Sequence, residues 1–261
     1  MPSLRSQWND SPDTIGAWLS IASSVLAEAA AHTGFDFVCV DTQHGVIDYA
    51  ATVPMFQAIE LGGSAPIARV PWNEPGIIGR MLDGGAQGVI VPMVNTVAQA
   101  EAVVEACRYA PAGSRSYGPT AVGLRHIDYV GWASEHIAVI VMIETAEAVR
   151  NIEEIVAVPG VDAIYLGPAD LSLTLGLPPR NNDGVAAFDA ALARIVEVCN
   201  RAGVVAGAHC VGGVAEKRMD QGFRLLTVAS DIASMRQGMA VELASARASS
   251  PTPRSRLQFE E

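Results

Sequence analysis

Two carboxylates, Glu144 and Asp170, stand where apolar runs give out. Glu144 closes Val139-Ile-Val-Met-Ile143, and Asp170 follows Ala163-Ile-Tyr-Leu-Gly-Pro-Ala169. Apolar, β-branched runs of this length read as strands buried on both faces. Consecutive strands in a parallel sheet lie roughly 4.8 Å apart, which would bring both acids to one C-terminal edge. Carboxylates that close repel unless a proton or a cation lies between them. A divalent metal is the economical answer. Other polar groups end neighbouring runs: Asp41-Thr-Gln-His44-Gly45, Arg69 after Pro66-Ile-Ala68, Asp83 before Gly84-Gly85, and Trp18 within the first run. Such groups suit carbon–carbon cleavage beside a 2-keto acid. A metal stabilises the enolate charge, and an imidazole moves a proton near neutral pH. A Schiff-base route needs a desolvated lysine at a strand end, and the chain's only lysine, Lys217, lies in a helical stretch.

Each group alone has an ordinary structural role. Glu144 can be a first-turn acid of the next helix, and Asp170 a helix start. His44 can be a capping residue, and Arg69 can close the barrel through an ion pair with Asp83. Their joint occurrence at strand ends favours the functional reading.

The elements that must position them are regular. Eight strand-like runs are predicted over Ile15–Ser20, Phe37–Gln43, Pro66–Val70, Gly88–Val94, Ile137–Ile143, Ala163–Gly167, Val204–His209 and Arg224–Ala229. Ala-rich helical patterns separate most of them: Ser24–His32, Asp48–Leu61, Ile77–Gly84, Ala98–Cys107, Ala146–Val156 and Val185–Arg201. Strict alternation implies a parallel sheet, and eight repeats imply an α/β fold closed as a single-domain (β/α)8 TIM barrel. A polar N-terminal extension is expected over residues 1–12, the barrel over 13–245, and a mobile Ser/Pro/Arg-rich tail over 246–261. Two connections are long, Tyr109 to Glu135 and Leu171 to Asn182. The first is expected on the active-edge side, as a wall or a subunit contact, with Arg115 and Tyr117-Gly118 near the aldehyde side of the pocket.

Composition narrows the function. Half of the 261 residues are hydrophobic, so a large core is available, and the net charge of −11 argues against nucleic-acid and anionic-membrane partners. No stretch resembles a signal peptide or a membrane span. Cys39, Cys107, Cys199 and Cys210 form no Cys-x-x-Cys pair, and read as reduced residues of a cytoplasmic protein. His209 and Cys210 read as pocket lining, since no second soft ligand has zinc-site spacing. Gly212-Gly213 could cradle a phosphate, but the eighth run supplies no matching pair.

Six motifs occur in one order: Asp41-x-Gln43-His44-Gly45, Arg69-Val-Pro71, Leu82-Asp83-x-Gly85-Ala86, Val91-Pro92-Met93-Val94, Ile143-Glu144-Thr145 and Gly167-Pro168-Ala169-Asp170-Leu171-Ser172. Together they resemble the HpcH/HpaI family of class II, metal-dependent pyruvate aldolases, over roughly residues 13 to 240. The resemblance implies a (β/α)8 barrel assembled as a homohexamer and using Mg²⁺, Mn²⁺ or Co²⁺. It implies Glu144 and Asp170 as metal ligands, with pyruvate oxygens and waters completing the shell. It further implies His44 as general base with Asp83 raising its basicity, and Arg69 as the oxyanion partner. The backbone N–H groups of Ala169 and Asp170 would hold the pyruvate carboxylate. Two positions depart from the pattern: Met142 replaces a glutamine found in several sugar-acid aldolases, and Gln43 replaces a glutamate.

The leading function is reversible cleavage of a 4-hydroxy-2-keto acid to pyruvate and an aldehyde. A citryl- or malyl-CoA-type lyase on a related barrel is the nearest rival, but it calls for basic residues, of which this acidic chain offers few near the rim. A non-catalytic barrel is the other, and it would not be expected to keep all the polar positions together.

Overall fold

The computed structural model describes residues 3–10, 13–210 and 212–248. Its eight strands are β1 (Thr14–Leu19), β2 (Phe37–Asp41), β3 (Ala65–Arg69), β4 (Gly88–Val91), β5 (Ala138–Ile143), β6 (Ala163–Leu166), β7 (Val205–His209) and β8 (Leu225–Ser230). They pair in parallel, in chain order, and β8 closes on β1. The expected barrel is therefore present. Side chains alternate between its two faces, and both faces are dry. Phe37, Cys39, Ile67, Ile90, Ile140 and Tyr165 fill the interior, while Val38, Val40, Val89, Val139 and Val141 pack outward with the helices. Burial on both sides is why the strands read as unbroken apolar runs.

Strand ends fall within three residues of the expected positions. β4 stops at Val91 because Pro92 has no N–H to continue the ladder, and Met93 then turns the chain with φ 57°. β2 stops at Asp41, whose Oδ1 accepts the N–H groups of Gln43 (3.0 Å) and His44 (3.2 Å) and so folds the chain into a turn. The helix expected over Ala146–Val156 is two, Ala146–Arg150 and Ile152–Val156, interrupted at Asn151. The side chain of Asn151 donates to the carbonyl of Asn95 at 2.8 Å.

The described parts of the two termini carry helices, and the long connection differs from expectation. The described part of the N-terminal extension contains a helix, Leu4–Asp10, and Leu4 joins the interior cluster. Arg5 ties this helix to the carbonyls of Ser134 and Glu135, both at 3.1 Å, and to Asp162 at 2.9 Å. Seven mostly polar residues carry too little periodicity to reveal such a plug. The last helix, Asp231–Ala248, includes the first positions of the expected tail, and residues 249–261 lie outside the described residues.

The connection from Tyr109 to Glu135 joins the end of the helix Val97–Cys107 to the start of β5. A helix that follows a strand runs back along it, so this connection lies at the N-terminal face of the barrel. Arg115, Tyr117 and Gly118 are accordingly remote from the catalytic mouth of their own chain.

Leu4 is fully buried. Leu4→Ala should lower unfolding free energy by about 2–5 kcal/mol in a denaturant titration. Val25→Ala, at a position 75% exposed, should change it by less than about 0.5 kcal/mol.

Candidate active site

At the C-terminal mouth of the barrel lies a cavity of about 320 Å³. Seven of the eight residues singled out from the sequence line it: Trp18, His44, Arg69, Met142, Glu144, Ala169 and Asp170. Tyr165, His209, Ser20 and Ser230 complete much of the wall.

The eighth residue, Asp83, does not line this cavity of its own chain. It sits in the last turn of the helix Pro75–Gly84, which starts beyond the C-terminal end of β3 and runs back to the opposite face. There its Oδ1 accepts from Arg115 Nη2 at 2.6 Å. Asp83 therefore does not raise the basicity of His44 within one chain, and it is not the partner of Arg69.

That partner is Asp41, which the sequence offered only as part of a motif. Asp41 and Arg69 face each other in register across β2 and β3. Arg69 Nε donates to Asp41 Oδ1 at 2.9 Å, and Nη2 donates to Oδ2. Trp18 Nε1 also donates to Oδ2, at 3.1 Å. Asp41 is only 2% exposed. Burial alone would raise its pKa, but the hydrogen bonds and charge of Arg69 outweigh it and the net shift is downward. For Arg69, burial pulls down and Asp41 pulls up more strongly, so its pKa rises. Both groups are held charged. The guanidinium also lies over the Trp18 ring, 4.8 Å from its centroid.

Glu144 follows β5 and is 3% exposed. Its Oε1 accepts the N–H of Met93 at 2.7 Å, an interaction that the left-handed turn at Met93 makes possible. Its Oε2 lies so close to Gly167 that a Cβ there would collide with it. Burial chiefly, and then the charge of Asp170, push the Glu144 pKa up to about 7. A buried carboxylate beside a second one is a hard-oxygen donor set that a divalent cation would relieve. Among the described residues no third carboxylate, imidazole or thiol is grouped with them. The residues present therefore fit a metal held by two protein ligands.

His44 is exposed on the turn after β2, at the cavity wall. His209, at the end of β7, packs edge-on against Trp18 with ring centroids 5.0 Å apart. Burial first, and the Arg69 charge second, depress its pKa to about 4. Asp231 supports the rim from outside the cavity. Its Oδ2 accepts the N–H groups of Ser20 (2.7 Å) and Ile21 (2.8 Å), a contact spanning 211 positions that no local sequence signal foretells.

The family model for HpcH/HpaI aldolase/citrate lyase matches residues 14–237. The chain belongs to this family. A hydroxypyruvate/pyruvate aldolase of Rhizorhabdus wittichii is 40% identical over 250 residues, covering 95% of this chain and 100% of that one. A 2-dehydro-3,6-dideoxy-6-sulfogluconate aldolase of Pseudomonas putida is 38% identical over 226 residues, covering 85% and 88%. Among solved structures, an HpcH/HpaI aldolase/citrate lyase family protein from Burkholderia cenocepacia superposes with a TM-score of 0.87. It is 32% identical, with 94% of this chain and 98% of that chain covered. In this HpcH/HpaI barrel Met142 is buried against the cavity, with its methyl group beside Gly167.

The raised pKa of Glu144 has a consequence for stability. In metal-free protein its burial favours the protonated form, so the stability it contributes is present below the ordinary carboxylate range. That contribution is lost as pH rises toward and through about 7. Glu144→Gln should remove this loss. With chelator present, the variant should gain on wild type by about 2–3 kcal/mol between pH 4 and pH 8, at ~1.4 kcal/mol per pKa unit. Urea midpoints at the two pH values measure it, and a pH-independent difference would contradict the assignment.

Proposed function

We propose that this chain is a class II, divalent-metal-dependent aldolase. It would reversibly cleave a 4-hydroxy-2-keto acid into pyruvate and an aldehyde. The observation that carries the reading is the convergence of Glu144, Asp170, Arg69 and His44 on one cavity, with Arg69 oriented by Asp41. A metal ion, when bound by Glu144 and Asp170, supplies Lewis-acid stabilisation of the negative charge that develops on the keto oxygen. Mg²⁺, Mn²⁺ and Co²⁺ all suit that role.

The chain's own residues account for the rest. The helix Pro168–Thr174 begins with Pro168 and has no side-chain cap. The first-turn N–H groups of Ala169 and Asp170 are thus available for the substrate carboxylate. Arg69 commits Nε and one Nη2 hydrogen to Asp41, which leaves N–H groups for the oxygen that gains charge. His44 takes the proton from the C4 hydroxyl. The C3–C4 bond then breaks, its electron pair passes into the enolate of pyruvate, and C4 becomes the aldehyde carbon. Protonation at C3 gives pyruvate. Trp18 and Met142 form apolar walls beside the reacting carbons. Lys217 takes no part, because it lies on the helix Gly212–Gln221 and pairs with Asp183 at 3.0 Å.

The protein would act as a homo-oligomer, a hexamer by family resemblance. After Asp231 the last helix is exposed along its whole described length, including Ile232, Met235, Met239, Val241 and Leu243. Beside its first turns runs an apolar groove of about 430 Å³, lined by Leu26, Ala30, Phe35 and Met235 among others. Apolar surface of this extent is what a second copy would cover. All four cysteines are buried and unpaired, which supports a reducing, cytoplasmic location. Among the described residues no helix is long and apolar enough to cross a membrane.

Chelation should abolish pyruvate release from 4-hydroxy-2-keto acids, and added Mg²⁺, Mn²⁺ or Co²⁺ should restore it. Full turnover by rigorously metal-free protein would refute the reading. Substitutions should fail in different ways. His44→Ala should still bind metal and pyruvate, but lose about 10²–10⁴-fold in exchange of pyruvate methyl protons with deuterated solvent. Glu144→Ala should lose metal affinity first, with partial rescue of exchange at high metal. NMR of pyruvate alongside a metal titration separates the two. Light scattering should find an assembly well above the 27.3 kDa of one chain, and an active monomer would reject the oligomer.

A further inference from the structure

The cavity has two chemically different sides. The ends of β2, β3, β5 and β6 carry its charged groups, as described above. The ends of β7, β8 and β1 carry His209, Ser230 and Ser20. Among the described residues none of these three side chains makes a hydrogen bond. The His209 ring is held by packing, edge-on to Trp18 at an interplanar angle of 90°. Being neutral above about pH 5, as its pKa near 4 requires, it offers one donor and one acceptor. Each serine hydroxyl does the same.

This side of the cavity therefore carries donors and acceptors but no charge. Among the described residues Arg69 is the only Lys or Arg lining the cavity, and it is already engaged by Asp41. A carboxylate, sulfonate or phosphate tail would be desolvated here without a counter-charge. An alkyl tail would leave His209 and the serines without partners, which also costs. A hydroxyl satisfies both conditions, since it donates and accepts in turn.

We infer that, within the aldolase reading on which this rests, the β7–β8–β1 side of the cavity receives an uncharged hydroxyaldehyde. His209 is the residue that selects it. The pyruvate half of the substrate stays on the charged side, so the choice of aldehyde is made apart from enolate chemistry.

The test uses full-length, metal-loaded protein and measures kcat/KM for condensation of pyruvate with glyceraldehyde, propionaldehyde and succinic semialdehyde. Glyceraldehyde should be preferred about tenfold or more over propionaldehyde, the scale of a lost hydrogen bond or two, and should also exceed succinic semialdehyde. His209→Leu should reduce the glyceraldehyde-to-propionaldehyde ratio about tenfold. Because both rates come from one preparation, partial misfolding cancels in the ratio. If His209→Leu gives no soluble protein, Ser230→Ala takes its place, and a smaller fall in the same ratio is expected. A wild-type preference for succinic semialdehyde, or an unchanged ratio in the variant measured, overturns the inference. Wild-type exchange of pyruvate methyl protons, measured with no aldehyde present, tests the aldolase reading separately. Its absence sinks that reading, whereas exchange with the wrong aldehyde preference sinks only the assignment of His209.

Discussion

The site depends on one buried ion pair. Arg69 projects from β3 into the mouth with its side chain only 11% exposed, and a guanidinium buried there requires a carboxylate of matching geometry. Asp41 supplies it from the adjacent strand in register. The same carboxylate also receives the Trp18 indole from β1 and the backbone N–H groups of Gln43 and His44. Three strands and the turn that bears the proposed base are thus fixed by five hydrogen bonds to one carboxylate. Removing one partner would leave the other charge buried and alone, which is typically far costlier than the pair is stabilising.

Charge balance explains why the remaining groups take the form they do. Asp41, Glu144 and Asp170 bring three carboxylates to the mouth, and Arg69 brings one guanidinium. Full ionisation would leave two excess negative charges in a low-dielectric cavity, the deficit that one divalent cation closes. Without a cation, the strain falls on Glu144, the more enclosed of the two free acids, whose pKa rises to about 7. Burial first, and the guanidinium second, hold His209 neutral. Charge thus lies on one side of the cavity, and His209, Ser20 and Ser230 leave the other polar but uncharged.

Much of this was legible in the sequence, for a physical reason. Strands dry on both faces appear as continuous apolar runs, so eight of them could be counted and the acids at their ends placed on one edge. What failed was direction and distance. The resemblance puts Asp83 beside His44, yet within one chain a helix returning along the barrel carries its last turn to the far face, where Arg115 holds it. The Tyr109–Glu135 connection was misplaced for the same reason. Asp41 went unassigned because an acid after an apolar run looks like any strand terminator until its register with Arg69 is seen.

Asp231 joins the barrel's seam beside the site to the exposed last helix. It is the only buried residue of its helix, and its carboxylate caps the chain at Ser20 and Ile21 while also accepting the N–H of Ile232 at 2.8 Å. Ser20 and Ser230, on either side of this contact, both line the cavity. The helix beyond it makes its few barrel contacts with β1 and β8. The orientation of that helix and the position of the uncharged cavity wall are therefore set by the same carboxylate. The rim at Ser20 and Ile21 is tied to the first residue of the helix through hydrogen bonds of 2.7 and 2.8 Å.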